Sequence, residues 1–265
     1  MTPDEKYHLL LDTLRGMGRV AVAYSAGVDS TFLLAAAHEA LGENAVALTA
    51  VTAAIPRREV EEAEAFCKTL GVRHRLVEVD ALAVPAFREN APDRCYHCKK
   101  HIFSALWEAA KSEGCSHLAE GSNLDDDLDY RPGHKAILEL GVESPLRAAE
   151  LTKAEIRALS ERLGLATAAK PSFACLASRV PYGEEITAEK LRRIDSAEQI
   201  LLQQGFTQFR VRSHGDLARI EVLPSEQEKL FALRKEIHDA LRALGFSYVT
   251  ADLYGFRSGS MNETL

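Results

Sequence analysis

A parallel α/β sheet covered by helices, followed by a smaller α+β domain, is the fold class this sequence predicts. Three observations carry the prediction. Short apolar runs alternate with longer amphipathic ones through the first part of the chain. A loop of small residues, "YSAGVDSTF" (24–32), follows directly on the first of those runs. Beyond residue 180 the rhythm changes to a long helix, two alternating runs, another helix and a closing strand. We therefore expect one domain over 1–180 and a second over 181–265.

Each element has its own reason. "RVAVAY" (19–24), "AVALTAV" (45–51), "HRLVEVDA" (74–81) and "SHLAEG" (116–121) are short, mostly apolar runs, as expected of strands buried on both faces. Between them lie the helical patterns "STFLLAAAHEALG", "RREVEEAEAFCKTLG" and "KKHIFSALWEAAKSEG", and this βαβα order belongs to a parallel sheet with helices on both sides. "LDDDLDYRPG" (124–133) has too many carboxylates and turn formers for an element interior and reads as a loop near the carboxyl edge of the sheet. In "LTKAEIRALSERLGL", Thr152 and Glu155 have capping-box spacing ahead of a helix that stops at Gly164. Pro171 and Pro181 break "AAKPSFACLASRVPYGE" (168–184) into an irregular connector. Then "TAEKLRRIDSAEQILLQQG" is a helix, "QFRVRS" and "LARIEVL" are strands paired around "HGD", "SEQEKLFALRKEIHDALRALG" is an amphipathic helix, and "FSYVTADLYG" ends in a strand.

Composition narrows the function. The chain has 265 residues and 46% hydrophobic content, enough for a sizeable core without staples. A net charge of −7 and a pI near 5.8 argue against a nucleic-acid partner. There is no run of about eighteen apolar residues, which argues against a membrane span. The opening "MTPDEKYHLLLD" is acidic where a secretory leader is basic, so a cytoplasmic location is expected. The five cysteines, 67, 95, 98, 115 and 175, are an odd number in a chain that needs no disulfides, which points to packing, metal binding or chemistry.

The loop after the first strand is either a tight turn or a cradle for an anion. A strand-to-helix loop presents backbone N–H groups and the positive end of the helix. Gly27 frees the backbone, while Ser25, Ser30 and Thr31 offer hydroxyls. The carboxylate of Asp29 repels a bare phosphate and so calls for a bridging cation such as Mg²⁺. With no lysine the loop is not a Walker-type P-loop. In "EGSNLDD" (120–126), Gly121 admits close approach, and Asn123 and Asp126 suit a base, a ribose or a magnesium-bound water. The alternative there is a capped turn.

Cys95 and Cys98 stand in "DRCYHCKK" and Cys175 in "KPSFACLASR". Two thiols three positions apart suit one ion or cluster, a redox pair, or ordinary packing. A third, distant cysteine leaves one coordination position open, as in a catalytic metal site, and zinc with His97 or His101 as fourth ligand stays a possibility. Cys67, within a helix, and Cys115, just before a strand, read as packing. Trp107 reads the same way.

The pattern strand, S-x-G-x-D-S, helix resembles the PP-loop of the adenine nucleotide alpha hydrolase-like group, whose Rossmann-like members cleave ATP between its α and β phosphates. The usual form is S-G-G-x-D-S. Ala26 stands for its first glycine, which asks for an ordinary L-residue conformation there. Together "SAGVDST", "DRCYHCKK", "EGSNLDD", "KPSFACLASRVPYG" and "YGFRSG" resemble the ATP-dependent sulfur transferases of nickel-pincer cofactor biosynthesis, the lactate racemase maturation family, over essentially the whole chain.

That resemblance implies a reaction and a set of roles. ATP adenylates a carboxylate of pyridinium-3,5-biscarboxylic acid mononucleotide, pyrophosphate leaves, and sulfur delivery gives a thiocarboxylate, once on each carboxylate. One form of the family sacrifices a single cysteine, matching Cys175, and is left with dehydroalanine. The other holds a [4Fe–4S] cluster on three cysteines, whose open iron carries sulfide; the matches at Cys95, Cys98 and Cys175 favour this form. The resemblance makes Cys175 and Asp29 catalytic, and Ser25, Gly27, Asp29, Ser30, Gly121, Asn123 and Asp126 the ATP site. It gives Mg²⁺ to Asp29 and Glu198, where an exposed helical carboxylate is the alternative for Glu198. A substrate carrying phosphate and carboxylates asks for a basic site. Arg210 and Arg212 at i,i+2 share one face of a strand while Phe209 and Val211 enter the core, and with Arg179 and Arg257 they are the candidates. A sulfide donor and a homo-oligomer, a trimer or hexamer, are implied as partners. Competing readings are a tRNA thiolase of the same group, an ammonia-dependent synthetase, and a nucleotide-binding metal protein without turnover.

Overall fold

The computed structural model describes residues 1–128, 132–171, 174–257 and 260–261. Two compact units form, one from 1–81 and 95–173, the other from 82–94 and 174–265.

In the first unit, α1 (Pro3–Met17) begins at a capping box in which Thr2 accepts from the Glu5 amide and Glu5 accepts from the Thr2 amide. Four strands follow, β1 (Val20–Ala23), β2 (Ala45–Val51), β3 (Arg73–Glu78) and β4 (His117–Ala119), in the order β3-β2-β1-β4 and all parallel. The helices between and after them are α2 (Val28–Leu41), α3 (Arg57–Leu70), α5 (Arg94–Ser112), α6 (Pro132–Glu139), α7 (Pro145–Ala148) and α8 (Lys153–Arg162), with the short α4 (Pro85–Arg88) belonging to the second unit. Pleating sends Val20, Val22, Ala45 and Ala47 into one core with α1, α2 and α8, and Ala21, Val46 and Leu48 into another with Phe103, Leu106 and Ala110 of α5. Helices on both faces are therefore what the continuous apolar strands demand, and the predicted fold class holds. The edge strand β3 is blunted by charge, with Arg73 and Arg75 reaching Glu113 at 2.9 and 3.5 Å.

The strand order reverses between β1 and β4, because the chain runs outward through β2 and β3 and then returns to the other side of β1. In open α/β sheets ligands bind outside the carboxyl ends of the strands at such a point. The two loops leaving that crevice are 24–27 and 120–123, the segments singled out in the sequence.

The second unit contains α9 (Ala188–Gln203), the antiparallel hairpin β5 (Phe209–His214) and β6 (Leu217–Val222), α10 (Gln227–Ala232), α11 (Arg234–Ala243) and β7 (Tyr248–Ala251), which pairs parallel to β6. Phe206, Phe209, Val211, Ile220, Ile237 and Phe246 fill its core. The helix expected over 225–245 is divided at Leu233, whose φ of −91° and ψ of 8° leave the helical range. Residues 82–94 join this unit through Asn90, which is buried. Its Nδ2 donates to the carbonyls of Val180 and Pro181 at 3.2 and 2.6 Å, and its own carbonyl accepts from the Gly183 amide at 3.2 Å. Asn90 has φ +57°, a conformation that asparagine tolerates better than most residues.

Of the expected loop 124–133, Leu124–Leu128 form a short 3-10 turn, α6 starts at Pro132, and 129–131 lie outside the described residues. The connector 168–184 contains a 3-10 turn at Leu176–Arg179, and 172–173 lie outside the described residues, as do 258–259 of "YGFRSG". No described helix is long and apolar enough to cross a membrane.

Candidate functional site

Tyr24 extends the ladder of β1 by one bond, its amide donating to the Leu48 carbonyl at 2.8 Å, and the chain then turns sharply. Ala26 makes the turn with φ +54°. This corrects the expectation of an ordinary L-residue conformation: the backbone keeps the left-handed geometry of a glycine and pays about 1–2 kcal/mol for the Cβ. The turn is held from outside. Lys170 Nζ donates to the Ala26 carbonyl at 3.0 Å and is anchored by Glu59 and Glu62 at 2.7 and 2.5 Å.

Gly27 then caps α2 with no side-chain hydrogen bond, which leaves the first-turn N–H groups facing the crevice. Ser25 and Ser30 line the turn. Ser30 Oγ accepts from the Ser25 amide at 3.3 Å, donates to the Gly27 carbonyl at 3.2 Å and lies 3.1 Å from Ser25 Oγ.

The segment after β4 packs directly on this helix start. A Cβ on Gly121 would sit 2.9 Å from the Ser30 amide nitrogen, so the close approach admitted by that glycine is one of backbone to backbone. Asn123 Nδ2 donates to Asp29 Oδ1 at 3.3 Å, which brings the two predicted ATP segments into contact. Asp126 accepts from the Asn123 amide at 3.0 Å, and Asn123 Oδ1 from the Asp125 amide at 2.9 Å, so the capped turn is present as well. Beneath it, buried Glu120 accepts from Ser122 Oγ at 2.9 Å and Ser144 Oγ at 2.5 Å, and Ser122 Oγ lies 2.9 Å from His134 Nε2.

One residue at this site was not anticipated. Lys153 Nζ donates to Asp29 Oδ2. It opens α8, whose start is bonded to the 123–126 turn: the Lys153 amide donates to Asp125 Oδ2 at 2.8 Å and the Leu124 amide to the Leu151 carbonyl at 2.9 Å. The only signal in the sequence was the capping box that fixes where α8 begins.

Cys95 and Cys98 lie in the first turns of α5, one exposed and one half-buried, with the i,i+3 spacing that puts them on one face. Cys175 is exposed and immediately precedes the 3-10 turn at 176–179. Among the described residues no group of three or more His, Cys, Asp or Glu side chains is arranged to hold a metal ion. Cys67 and Cys115 are buried; burial pushes the Cys67 thiol up to about 12 and raises that of Cys115. Trp107 packs on the α5 side of the sheet and donates to the Leu140 carbonyl at 2.9 Å.

The predicted arginines are less open than a strand with one wet face implies. Every residue from Phe209 to Ser213 is buried. Arg212 pairs with buried Glu221 at 3.0 and 2.8 Å and donates to Ser260 Oγ at 3.0 Å and the Ser178 carbonyl at 3.0 Å. Arg179 has no exposed surface and pairs with Glu198, which is likewise enclosed, so Glu198 is neither an exposed helical carboxylate nor an open metal ligand. Arg210 lies 5.0 Å over the Phe256 ring. Burial, then the neighbouring charge of Arg179, lowers its pKa to about 10, so it stays a cation. Arg257 is the most exposed of the four; it lies 3.7 Å from Asp252 and 4.7 Å over the Tyr254 ring. Arg179 pairs with Glu198, and Arg212 and Arg219 both pair with Glu221, Arg219 lying 3.7 Å from Asp252 as well.

No protein-family model matches the chain. It is 43% identical over 252 residues to an uncharacterised protein of Synechocystis sp., covering 94% of each chain. It is 37% identical over 257 residues to pyridinium-3,5-bisthiocarboxylic acid mononucleotide synthase of Lactiplantibacillus plantarum, covering 97% of this chain and 93% of that one. To argininosuccinate synthase of Natronomonas pharaonis it is 32% identical over 158 residues, 56% of this chain and 39% of the other. The chain thus belongs to the pyridinium dicarboxylate mononucleotide sulfurtransferase family of the PP-loop superfamily.

Proposed function

We propose that this protein uses ATP to convert carboxylates of pyridinium-3,5-biscarboxylic acid mononucleotide into thiocarboxylates. The carrying observation is the contact between Asp29 and Asn123 at the strand-order switch point, in a chain 37% identical over nearly its whole length to a pyridinium bisthiocarboxylate mononucleotide synthase.

A carboxylate is a poor acyl donor because its oxygen leaves badly. In the reading proposed here, a substrate carboxylate oxygen attacks the α phosphorus of ATP and the bond to the β-phosphate oxygen breaks, releasing pyrophosphate. A sulfur nucleophile then attacks the acyl carbon, and AMP leaves with the oxygen. Ser25, Gly27 and Ser30, with the first-turn N–H groups of α2, receive the phosphates, and Gly121, Asn123 and Asp126 form the opposite wall. Asp29 is the residue to hold Mg²⁺, which when bound supplies charge compensation to the phosphates.

The sulfur chemistry rests on Cys175, exposed beside its own 3-10 turn, and on Cys95 and Cys98. As a donor set, three thiolates suit a [4Fe–4S] cluster with one open iron, and such a cluster supplies a place for sulfide. Arg257, the most exposed of the four predicted arginines, is the contact proposed for the substrate phosphate or carboxylates, with Arg179, Arg210 and Arg212 enclosed behind their own partners. A sulfide donor and a homo-oligomer complete the proposed partners.

The test is anaerobic purification with iron and acid-labile sulfide analysis of the intact protein and of Cys95→Ala, followed by pyrophosphate release with ATP, Mg²⁺ and the pyridinium mononucleotide. Substrate-dependent pyrophosphate and thiocarboxylate, with cluster lost in Cys95→Ala, is the expected result. Pyrophosphate release that ignores the pyridinium compound would sink the substrate assignment. Absence of iron from both proteins, with dehydroalanine at position 175 after turnover, would replace the cluster by sacrificial Cys175.

A further inference from the structure

We infer that Lys153 is a mobile cation of the nucleotide site: it occupies the metal position on Asp29 while the site is empty and transfers to a phosphate oxygen when Mg·ATP binds. The inference rests on reading 25–31 and 120–126 as an ATP site.

Both oxygens of Asp29 are engaged, Oδ1 by the neutral amide of Asn123 and Oδ2 by the ammonium of Lys153. A divalent cation needs an anionic oxygen, and two cations do not share one closely. Asn123 can stay, whereas Lys153 must leave. Its destination is close, because Asp29 lies in the first turn of α2, where the phosphates are received. Four negative charges of ATP beside the Asp29 carboxylate need more than one cation. The loop "SAGVDST" has no lysine of its own, and Lys153 comes from 124 positions further along the chain.

Three features suit Lys153 to this exchange. Its backbone is fixed, since the start of α8 is bonded to Asp125 and Leu124 of the opposite wall. Its side chain is not, because a four-carbon stem swings an ammonium freely, and the Lys153 and Asp29 side chains are 28% and 23% exposed. A partly open pair of this kind adds little to fold stability. A cation in the first turn also opposes the dipole of its own helix, so α8 itself is not what favours a lysine there.

Lys153→Met and Lys153→Arg test the exchange, with Mn²⁺ alone followed by electron paramagnetic resonance and Mg·ATP by calorimetry. Lys153→Met is expected to bind Mn²⁺ about fivefold more tightly than wild type, because its competitor is gone. It is expected to bind Mg·ATP about tenfold more weakly, for loss of one charge-assisted hydrogen bond. Lys153→Arg should recover most of the Mg·ATP affinity. A merely structural lysine would weaken both ligands together, and that result overturns the inference, as does unchanged Mg·ATP affinity in Lys153→Met. If Lys153→Met melts well below wild type, Lys153→Gln replaces it with the same pair of opposite shifts required. Wild type that binds no Mg·ATP overturns the nucleotide reading and the exchange together, whereas binding unaffected by Lys153→Met overturns the exchange alone.

Discussion

Arg179 and Glu198 grip each other at two points, Nε to Oε1 at 2.8 Å and Nη2 to Oε2 at 3.0 Å, with neither side chain open to solvent. Removing one partner strands a buried charge. Arg179→Met is therefore expected to destabilise the protein by about 3–5 kcal/mol, with the Arg179→Met, Glu198→Met double variant recovering a large part. Urea unfolding of the three proteins decides this, and equal losses in single and double variants would contradict it. The same guanidinium donates through Nη1 to the carbonyls of Ala174 and Cys175 at 2.7 and 3.1 Å. Iodoacetamide should accordingly alkylate Cys175 faster in Arg179→Met.

Gly121 is the tightest point of the crevice. An alanine there places Cβ 2.9 Å from the Ser30 nitrogen and 3.2 Å from the Asp29 carbonyl carbon, both backbone atoms that cannot rotate away. The start of α2 has to move, at a cost of about 1–3 kcal/mol. Since that turn receives the phosphates in the proposed mechanism, Gly121→Ala should lower the melting temperature and weaken Mg·ATP binding together. Full binding with a lowered melting temperature would show that the crevice tolerates the shift.

What the sequence made legible is local. Three strands of the first unit, β1, β2 and β4, follow from apolar runs, the start of α8 from Thr152 and Glu155, and the β5–β6 hairpin from two alternating runs around a turn, whereas β3 is a largely exposed, charged edge strand and not the buried apolar run expected over 74–81. The start of α1 has an equally local origin in Thr2, Pro3 and Glu5. Other features were not local. Lys153 meets Asp29 across 124 positions, and no spacing rule joins them. Ala26 hides its left-handed geometry because its Cβ suggests the opposite; the buried methyl and the Lys170 bond that hold it are tertiary. Alternation in "QFRVRS" implied a wet arginine face, yet buried carboxylates and Ser178 cover it, so the guanidinium groups are enclosed.

His74 supplies a pH dependence. Its Nε2 lies 2.8 Å from Thr49 Oγ1, which itself donates to the Tyr24 carbonyl at 2.8 Å, so the ring must donate from Nε2 and takes a further proton only at Nδ1. Burial lowers its pKa below 6.5, and Glu64 opposes this only in part. The neutral form is the one the fold prefers. Between the folded value and 6.5 the unfolded chain binds the extra proton and the folded chain does not, so this stability is fully present above 6.5, is lost as pH falls through that window, and changes no further below it. Urea midpoints from pH 7 to 5 should fall for wild type and fall less for His74→Gln. Identical slopes would remove His74 as the cause.

The five thiols should separate into two classes by reactivity. Cys95 and Cys175 are exposed and Cys98 is half-buried, while Cys67 and Cys115 are enclosed. Burial also pushes the Cys67 thiol up to about 12 and raises that of Cys115, so at pH 8 both are thiols and neither is a nucleophile. Ellman's reagent added to metal-free protein should therefore titrate Cys95 and Cys175 rapidly and Cys98 more slowly. Cys67 and Cys115 should react only at the rate of unfolding, which denaturant accelerates. Anaerobic loading with iron and sulfide should protect Cys95, Cys98 and Cys175 as a group and leave the slow pair unchanged. Peptide mapping of the labelled sites distinguishes the outcomes: protection of Cys95 and Cys98 without Cys175 would show a two-cysteine site and remove Cys175 from the proposed ligand set.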